Sequence, residues 1–471
     1  MKKTKIVCTL GPASDTEKVI TAMAKAGMNV ARINVSHGSH EEHAKKIAIV
    51  RKVREKLDMP IAILLDTKGP EFRIGTFEHG KVTLNEGDEF SFVTEDVVGN
   101  EKQVSVSYKG LCEEMLPGDR ILLNNGLLVF EVMEVRKPRV VCRVLIGGET
   151  SDRKSMFFPD KEFKMTYLSE QDKRDLLYAI EQDVDFIACS FVSKAQDIVE
   201  VRDFLAENGA PADIDLIAKI ENRAGVNNLH AIMEAADGIM IGRGDLGVEI
   251  PYEELPDIQK YVINECRKAC KRCITATEML ESMITKPRPT RAEISDVANA
   301  VYDGSSAVML SGETAAGHYP VEAVQAMSRI VMQAEKHPEF MQFLKNDEYM
   351  IHDTYDALSH SACTLATDLG AKAIVVCTRT GRSAKLVSRF RPLIDIIAMT
   401  TNDRSYRKLA LSWGVLPLMS EEYTSVDVLF HFAKCAAKNS GLVKKGDVIV
   451  ITGGSPNGKS GNSDLINVAT I

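Results

Sequence analysis

Short runs of β-branched and apolar residues alternate with amphipathic segments from Thr4 onward, and few folds accommodate such an alternation. It is typical of βα units, in which each strand of a parallel sheet is followed by a helix. The runs cover residues 5–10, 29–35, 61–66, 185–191, 214–221, 238–241, 273–277 and 307–310, and helical spacing is found in residues 16–26, 40–56, 170–181, 195–207, 255–270 and 320–337. Eight units in one region predict an α/β fold with a closed (β/α)8 TIM barrel rather than an open sheet.

Two further domains are predicted. Between the third and fourth runs, short strands are separated by Gly, Pro and Asn turns without long helices, which indicates a small β-barrel-like domain inserted at a βα loop. Such an insertion lies over the carboxyl ends of the barrel strands, where a lid belongs. Strand-like runs at 373–378, 395–399 and 447–452 predict a C-terminal open α/β domain. The predicted domains are a discontinuous barrel, 1–69 and 164–344, a lid, 70–163, and a C-terminal domain, 345–471.

Composition excludes several classes of function. The net charge of −8 argues against nucleic acid as a partner. No apolar run is long enough to cross a membrane, and the N-terminus lacks the apolar stretch of a signal peptide, so a cytoplasmic protein is expected. The cysteines are scattered, as is typical of reduced thiols. Cys266, Cys270 and Cys273 could share a zinc ion, but no histidine or fourth cysteine lies nearby, and ordinary packing is the favoured interpretation.

Polar side chains end nearly every predicted barrel strand. In strand order they are Arg32, Asn34, Ser36 and His37; Asp66, Thr67, Glu71 and Arg73; Ser190; Lys219, Glu221 and Asn222; Arg243 and Asp245, on either side of Gly244; Thr275, Thr277 and Glu278; and Ser311 and Glu313, on either side of Gly312. Loop starts are often polar, but this many together are not explained by exposure alone. Since the carboxyl ends of barrel strands build active sites, an active site is predicted at this mouth.

The residue types at this mouth indicate phosphoryl chemistry. Lys219 and Glu221 are two positions apart on a strand and point to the same side, and Asp245 comes from the next predicted strand. Two carboxylates suit Mg²⁺, and a nearby lysine neutralises a phosphoryl group in transfer. Asn34, Ser36, Asp66 and Thr67 offer oxygens and amides with a single negative charge, which suits a large monovalent cation.

The ordered motifs resemble those of the pyruvate kinase family. They are Arg-x-Asn-x-Ser-His-Gly at 32–38, Leu-Asp-Thr-Lys-Gly-Pro-Glu at 65–71, Lys-Ile-Glu-Asn at 219–222, Arg-Gly-Asp-Leu-Gly-Val-Glu-Ile-Pro at 243–251, Lys-Pro-Arg-Pro-Thr-Arg-Ala-Glu at 286–293 and Met-Leu-Ser-Gly-Glu-Thr at 309–314. The resemblance extends from about Lys3 to the C-terminus. It implies transfer of the phosphoryl group of phosphoenolpyruvate to ADP, the last step of glycolysis, by a cytoplasmic homotetramer under allosteric control.

The resemblance also implies roles for individual residues. Glu221 and Asp245 would bind Mg²⁺ or Mn²⁺, and Lys219 would stabilise the phosphoryl group. The other implied roles are phosphate binding by Arg32 and Arg73, nucleotide contacts by Arg73, His37 and Lys154, K⁺ binding by Asn34, Ser36, Asp66 and Thr67, carboxylate binding by the amides of Gly244 and Asp245, and a position for Thr277 near the carbon that is protonated. Members that dispense with K⁺ tend to carry lysine where this chain has Glu71, so K⁺ dependence is predicted.

Two glycine-rich loops stand apart from the barrel. Residues 453–460 fit the Walker A expression, but no helix is predicted after them, and an NTPase site is therefore not favoured. The favoured interpretation is anion binding by the backbone amides of this loop. The other loop is Thr378-Arg379-Thr380-Gly381-Arg382-Ser383. Both resemble the family's effector pocket, which would take a sugar phosphate or nucleotide monophosphate.

Two alternatives stay open from the residues alone. A metal-dependent barrel lyase acting on a pyruvate-like enolate would share the carboxylates but would not need Lys219, the monovalent site and the lid together. A metabolite sensor with an inactive barrel would not need intact Lys219, Glu221 and Asp245. The lid departs most from the family, at Asn124-Asn125-Gly126 and in the segment 155–160, which raises the question of how the lid closes.

Overall fold

The computed structural model describes residues 1–159, 161, 163–337, 350–454 and 463–471. The chain begins with two βα units and a third strand: β1 (Lys5–Thr9), α1 (Glu17–Ala26), β2 (Val30–Asn34), α2 (His40–Leu57) and β3 (Ala62–Asp66). The Thr16 side chain accepts a hydrogen bond from Val19 N–H at the start of α1, and Ser39 and Glu42 form a capping box at the start of α2. These caps satisfy amide groups that the first helical turn leaves unpaired.

The lid follows β3. It contains β4 (Lys81–Leu84), β5 (Glu89–Val93), β6 (Gln103–Ser105), α3 (Leu111–Glu114), β7 (Arg120–Leu123), β8 (Leu128–Arg136), β9 (Arg139–Ile146), β10 (Gly148–Ser151) and β11 (Met156–Phe157). A six-stranded sheet has the order β11-β7-β8-β9-β5-β6, and β10 pairs with β4. The short strands predicted between the third and fourth runs are therefore present.

The chain then returns to the barrel through α4 (Glu170–Glu181), β12 (Phe186–Cys189), α5 (Ala195–Glu207), β13 (Asp215–Ile220), α6 (Arg223–Asn227), α7 (Leu229–Ala235), β14 (Gly238–Gly242), α8 (Arg243–Glu249), α9 (Leu255–Lys268), β15 (Arg272–Ala276), α10 (Arg291–Tyr302), β16 (Ala307–Leu310), α11 (Gly312–Ala315) and α12 (Pro320–Ala334). The eight barrel strands close in the order β1-β16-β15-β14-β13-β12-β3-β2, and every neighbouring pair is parallel. The predicted TIM barrel is therefore confirmed.

Side-chain alternation divides the barrel core into two layers. Along β3, Ala62 and Leu64 pack inside the barrel, whereas Ile63 and Leu65 pack between the strand and the surrounding helices. Both faces are buried, which explains why these strands are apolar throughout. The alternation continues to the mouth of the barrel, so that Asp66 follows Ala62 and Leu64 on the inner face.

A five-stranded sheet with the order β19-β18-β17-β20-β21 forms the C-terminal domain. Its elements are α13 (Thr354–Asp368), β17 (Ala373–Cys377), α14 (Arg382–Arg389), β18 (Asp395–Thr400), α15 (Asp403–Leu409), β19 (Val415–Met419), α16 (Val426–Asn439), β20 (Val448–Gly453) and β21 (Leu465–Thr470). Three of these strands were predicted as strong runs. The edge strand β19 was missed because Pro417 interrupts its pattern, and an edge position tolerates proline.

Ion pairs join the C-terminal domain to the base of the barrel. Asp215, at the start of β13, lies 2.5 Å from Arg272 and 2.8 Å from Lys408. Asp185, just before β12, lies 2.6 Å from Arg407. Both carboxylates are buried. The two domains therefore meet at the end of the barrel opposite the mouth.

Four aromatic side chains, those of Phe72, Tyr108, Phe158 and Phe163, pack together where the lid joins the barrel, with ring centroids 4.7 to 5.5 Å apart. The Phe158 N–H also donates to Glu249 of α8 at 3.2 Å.

Two expectations, on membrane spans and on the cysteines, can be checked on the rest of the chain. Among the described residues, no helix has the length and apolarity needed to span a membrane. The three clustered cysteines are free thiols, and no group of three metal-ligating side chains is found in the described ranges.

Candidate active site

The inner faces of β2, β3 and β13 carry charged side chains at their carboxyl ends. Val30, Leu64 and Ile217 line the inside of the barrel, and Arg32, Asp66 and Lys219 each lie two residues further along the same strands. All three charged side chains are buried. The same strand alternation that directs apolar side chains into the core therefore places Arg32, Asp66 and Lys219 together at the mouth of the barrel.

Lys219 is the centre of a buried hydrogen-bond network. Its ammonium lies 3.1 Å from Asp66 Oδ1, 3.0 Å from Glu221 Oε1 and 2.7 Å from Ser190 Oγ. Asp66 also binds Arg32, whose Nε lies 2.6 Å from Oδ2. Burial alone would lower the pKa of Lys219, but Asp66 and Glu221 outweigh it and hold the pKa above its ordinary value. Lys219 is therefore a permanent cation at physiological pH.

Asp245 and Glu221 form a pair of carboxylates beside this ammonium. Burial, and after it the charge of Glu221, raises the pKa of Asp245 to about 7. Neighbouring carboxylates with such a shift are stabilised by a cation between them. The donor set, two carboxylates with room for other oxygens, fits a magnesium-type ion that completes its coordination with substrate and water.

Thr277 has an unusual backbone conformation at the end of β15. Its φ is 67°, and that of Glu278 is 53°, both in the left-handed region that β-branched residues avoid. The Thr277 hydroxyl accepts a hydrogen bond from Gly244 N–H at 2.7 Å and donates to Ala276 O at 2.6 Å. Gly244 and Asp245 lie in the first turn of α8. Thr277, Gly244 and Asp245 therefore lie together, next to Glu221.

The four residues predicted to hold a monovalent cation lie on adjacent strand ends. Asn34 pairs with Asp66 in the β2–β3 register, Ser36 N–H donates to Asn34 Oδ1 at 3.0 Å, and Thr67 follows Asp66. Their donors are a carboxylate, an amide and two hydroxyls. Because Asp66 is also bound to Arg32 and Lys219, this cluster is continuous with the Lys219 network.

Of the three residues predicted to contact the nucleotide, the described contacts bring Arg73 close to Lys154 but not to His37. Arg73 forms a bidentate ion pair with Glu71, with Nε 2.8 Å from Oε2 and Nη2 2.7 Å from Oε1. Its backbone forms an antiparallel β-bridge across the lid junction with Ser155, which follows Lys154. His37 is exposed in the loop after β2, and the described contacts do not link it to Arg73 or Lys154.

The loop 378–383 lies at the carboxyl end of β17 in the C-terminal domain. Gly381 has a φ of 81°, and its N–H donates to Thr378 Oγ1 at 3.1 Å. Ser383 is buried and accepts a hydrogen bond from Ser463, whereas the exposed Arg382 lies 3.3 Å from Asp353. The Walker-like stretch begins at Gly453, the last residue of β20; its residues 455–460 lie outside the described part of the chain.

Two positioning contacts were not predicted from the sequence. Ser190 was recognised only as a polar strand end, yet it contacts Lys219 directly. Arg243 donates to Thr277 O through Nη2 at 2.6 Å and through Nε at 3.1 Å, and Asp296 of α10 lies 2.8 Å from its Nη1. The Arg-Gly-Asp motif marks Arg243 as a strand-end residue, but nothing in the sequence indicates Asp296.

Comparisons with known proteins agree along the whole chain. The family model described as "Pyruvate kinase, barrel domain" matches residues 1–324, and "Pyruvate kinase, alpha/beta domain" matches residues 356–469. A pyruvate kinase of Clostridium acetobutylicum is 44% identical over 100% of both chains, and one of Geobacillus stearothermophilus is 45% identical over 100% of this chain and 80% of that protein. The crystal structure of a pyruvate kinase from Cryptosporidium parvum superposes with a TM-score of 0.94 at 37% identity, covering 100% of this chain and 96% of that one.

Proposed function

Because the chain belongs to the pyruvate kinase family and transfers the phosphoryl group of phosphoenolpyruvate to ADP, we propose that Lys219, Glu221 and Asp245 form the centre of this reaction. The observation that carries the proposal is the buried ammonium of Lys219, held among two carboxylates and a hydroxyl at the barrel mouth. Family membership over the full chain disfavours a barrel lyase, and the intact Lys219, Glu221 and Asp245 disfavour a metabolite sensor with an inactive barrel.

Lys219 and Arg32 would bind the phosphoryl group. A phosphoryl in transfer carries negative charge on its peripheral oxygens, and two fixed cations stabilise that charge without reorganisation. Asp66 holds both side chains in place, since its Oδ2 contacts Arg32 and its Oδ1 contacts Lys219. The protein contributes position and charge rather than covalent chemistry.

Catalysis in this family is metal-dependent, and we propose Mg²⁺ or Mn²⁺ as the ion, with Glu221 and Asp245 as its protein ligands. When bound, such an ion neutralises the oxygens of the substrate that it contacts. Burial and the charge of Glu221 raise the pKa of Asp245 to about 7, which supports this assignment because a cation between the two carboxylates would relieve their repulsion.

The substrate carboxylate would lie at the amides of Gly244 and Asp245, and Thr277 would lie near the carbon that receives a proton. The hydroxyl of Thr277 already contacts the Gly244 amide, which supports a common location for these groups. Arg73, His37 and Lys154 would contact the nucleotide at the lid junction. Asn34, Ser36, Asp66 and Thr67 would hold K⁺.

Several wider assignments rest on the family. We propose a discontinuous barrel of residues 1–69 and 164–344, a lid of residues 70–163 and a C-terminal domain of residues 345–471. We also propose a homotetramer that acts in cytoplasmic glycolysis. The loop formed by Thr378, Arg379, Thr380, Gly381, Arg382 and Ser383 would bind a sugar phosphate or nucleotide monophosphate effector; its left-handed Gly381 and the helix that starts at Arg382 support anion binding there.

A coupled assay with phosphoenolpyruvate, ADP, Mg²⁺ and K⁺ tests the proposed centre. Lys219→Met should reduce kcat by about 10³-fold or more, because it removes a preorganised cation from the transition state. The exposed Lys81→Met is the matched control and should retain full activity. A Lys219→Met enzyme that is folded and turns over at the wild-type rate would refute the assignment.

A further inference from the structure

Ser190 and Phe191 follow β12 and are joined by a peptide group whose two ends bind different partners. The carbonyl oxygen of Ser190 accepts a hydrogen bond from the hydroxyl of Tyr167 at 2.7 Å. The N–H of Phe191 donates to Oε2 of Glu221 at 2.9 Å. Because the atoms of a peptide group lie in one plane, a partner that fixes the oxygen also fixes the direction of the N–H. Tyr167 and Glu221 are therefore connected through one rigid unit.

This peptide is held in a conformation that the chain does not adopt by default. Phe191 has a φ of 55°, in the left-handed region that bulky residues avoid. Rotation about the N–Cα bond of Phe191 would relieve this strain, and it would turn the peptide plane and its N–H as well. Such conformations cost about 1–3 kcal/mol and persist where surrounding groups hold them. The hydrogen bonds at the two ends of the peptide are restraints of this kind.

Tyr167 is well suited to hold the Ser190 carbonyl. Its side chain is buried in the barrel core, and burial raises the pKa of the hydroxyl above its ordinary value, so the hydroxyl keeps its proton and donates. The backbone of Gly69 packs against the same carbonyl, since a Cβ added to Gly69 would lie 2.6 Å from Ser190 O. A donor and close packing together fix the direction of this carbonyl.

The peptide in turn determines the position of one oxygen of Glu221. Oε1 of Glu221 lies 3.0 Å from Lys219 Nζ, and Oε2 is the oxygen that accepts the Phe191 N–H. A carbonyl that accepts a hydrogen bond makes the N–H of the same peptide a stronger donor, so Tyr167 strengthens this contact as well as directing it. Without the Tyr167 hydroxyl, the peptide can turn toward an ordinary φ, and Oε2 loses its anchor.

We propose that Tyr167 is a positioning residue for the divalent-metal site: through the Ser190–Phe191 peptide, its hydroxyl holds the carboxylate of Glu221 in the orientation that binds the cation. The inference rests on the proposed role of Glu221 as a metal ligand. Tyr167 lies in the segment that connects the lid to α4, between Phe163 and Glu170. One hydrogen bond therefore joins this connection to the metal site.

Direct binding of Mn²⁺ tests the inference without turnover. Free Mn²⁺ is measured by electron paramagnetic resonance as the full-length enzyme is titrated in the absence of substrates. Tyr167→Phe should weaken Mn²⁺ binding about tenfold, the lower end of the effect seen when a residue that orients a metal ligand is changed. The ring that remains fills the same space, so water cannot take the place of the hydroxyl.

Tyr178→Phe is the matched control. Tyr178 is also buried, and its hydroxyl also donates to a main-chain carbonyl, that of His40 in α2, at 3.0 Å. The two variants therefore lose the same kind of hydrogen bond, but the carbonyl of His40 does not belong to the peptide that binds Glu221. The Mn²⁺ affinity of Tyr178→Phe should equal that of the wild type.

Activity gives a second measurement. The Mg²⁺ concentration for half-maximal rate should rise for Tyr167→Phe, and kcat at saturating Mg²⁺ should approach the wild-type value. Unchanged Mn²⁺ affinity in Tyr167→Phe, equal weakening in Tyr178→Phe, or a Tyr167→Phe protein that circular dichroism shows to be unfolded would each overturn the inference. Glu221→Gln separates the two proposals: if it binds Mn²⁺ like the wild type, the metal assignment itself is wrong.

Discussion

At the scale of single residues, Asp66 belongs both to the cluster proposed to bind K⁺ and to the Lys219 network. The sequence indicated a ligand for a monovalent cation, and the structure shows the same carboxylate bound to Arg32 and Lys219. Burial would raise the pKa of Asp66, but Arg32 and Lys219 outweigh burial and hold it below its ordinary value. The cations proposed to bind phosphate and the cluster proposed to bind K⁺ therefore share one ionised carboxylate.

Ser190 is expected to position Lys219. Ser190→Ala removes the shortest contact of the Lys219 ammonium, 2.7 Å, and leaves the two carboxylates as its partners. We expect kcat to fall about tenfold, since a hydrogen bond to a charged group contributes about 1.5–3 kcal/mol, and the phosphoenolpyruvate KM to change less. Steady-state kinetics measures both constants. Ser193→Ala, in the following loop, is the control; equal kcat in the two variants would contradict the prediction.

Removal of K⁺ should abolish most of the activity. The negative charge of Glu71 is already paired with Arg73, and no lysine stands at position 71 to replace a bound cation. The assay is run with tetramethylammonium in place of K⁺ at constant ionic strength, so that nonspecific screening is unchanged. Full turnover in this buffer would show that the cluster of Asn34, Ser36, Asp66 and Thr67 is not a K⁺ site.

Among the elements, α8 is tied to the end of β15 by one guanidinium. Arg243 is buried, donates to the carbonyl of Thr277 and is oriented by Asp296 of α10. Two consecutive residues with positive φ, Thr277 and Glu278, are costly unless surrounding groups fix them. The arginine therefore stabilises the backbone that presents the Thr277 hydroxyl.

Arg243→Lys tests whether the position of Thr277 depends on the guanidinium of Arg243. A lysine keeps the charge but cannot donate to Thr277 and Asp296 with fixed planar geometry. We expect a decrease in kcat of about tenfold to a hundredfold, in line with a small misplacement of a catalytic group. Solvent-exchange of the methyl protons of pyruvate, followed by NMR, reports on the proton-transfer step separately. An unchanged exchange rate would leave Arg243 with no role in placing Thr277.

The sequence predicted the barrel strands and the site residues on them because one physical rule controls both. Alternation puts every second residue inside the barrel, so the positions of Arg32, Asp66 and Lys219 follow from the apolar residues before them. Ser190 could have been found by the same rule, since it follows β12. Asp296 could not, because a helix-surface carboxylate carries no signal of its partner. The aromatic cluster at the lid junction likewise depends on contacts between segments that are distant in sequence.

For the whole molecule, the buried ion pairs at the base of the barrel are expected to control stability. Asp215→Asn leaves Arg272 and Lys408 without their common partner. Loss of one member of a buried pair costs about 3–5 kcal/mol. Urea denaturation at pH 7 measures the loss in the free energy of unfolding. Glu17→Gln, in an exposed pair with Lys52, is the control and should change it by less than about 1 kcal/mol.

The effect of Asp215 should depend on pH. Burial would raise the pKa of Asp215, but Arg272, Lys385 and Lys408 outweigh it and hold the folded-state pKa below its ordinary value. A carboxylate of this kind stabilises the folded state above its unfolded pKa of about 3.9 and loses that contribution as pH falls toward the folded value. The difference in stability between the wild type and Asp215→Asn should be constant from pH 8 to pH 5 and smaller below pH 4. A difference that grows on acidification would contradict this account.

Two barrel strands, β12 and β13, connect the Lys219 network at the mouth with the C-terminal domain at the base. Asp185 and Ser190 flank β12, and β13 begins at Asp215 and carries Lys219 near its other end. At about 3.3 Å per residue, Asp215 and Lys219 are separated by about 13 Å of fully hydrogen-bonded strand. The contacts with the C-terminal domain and those at the mouth are thus joined by strand rather than by a loop. We therefore expect any regulation by the C-terminal domain to act through these two strands rather than through a long series of side chains.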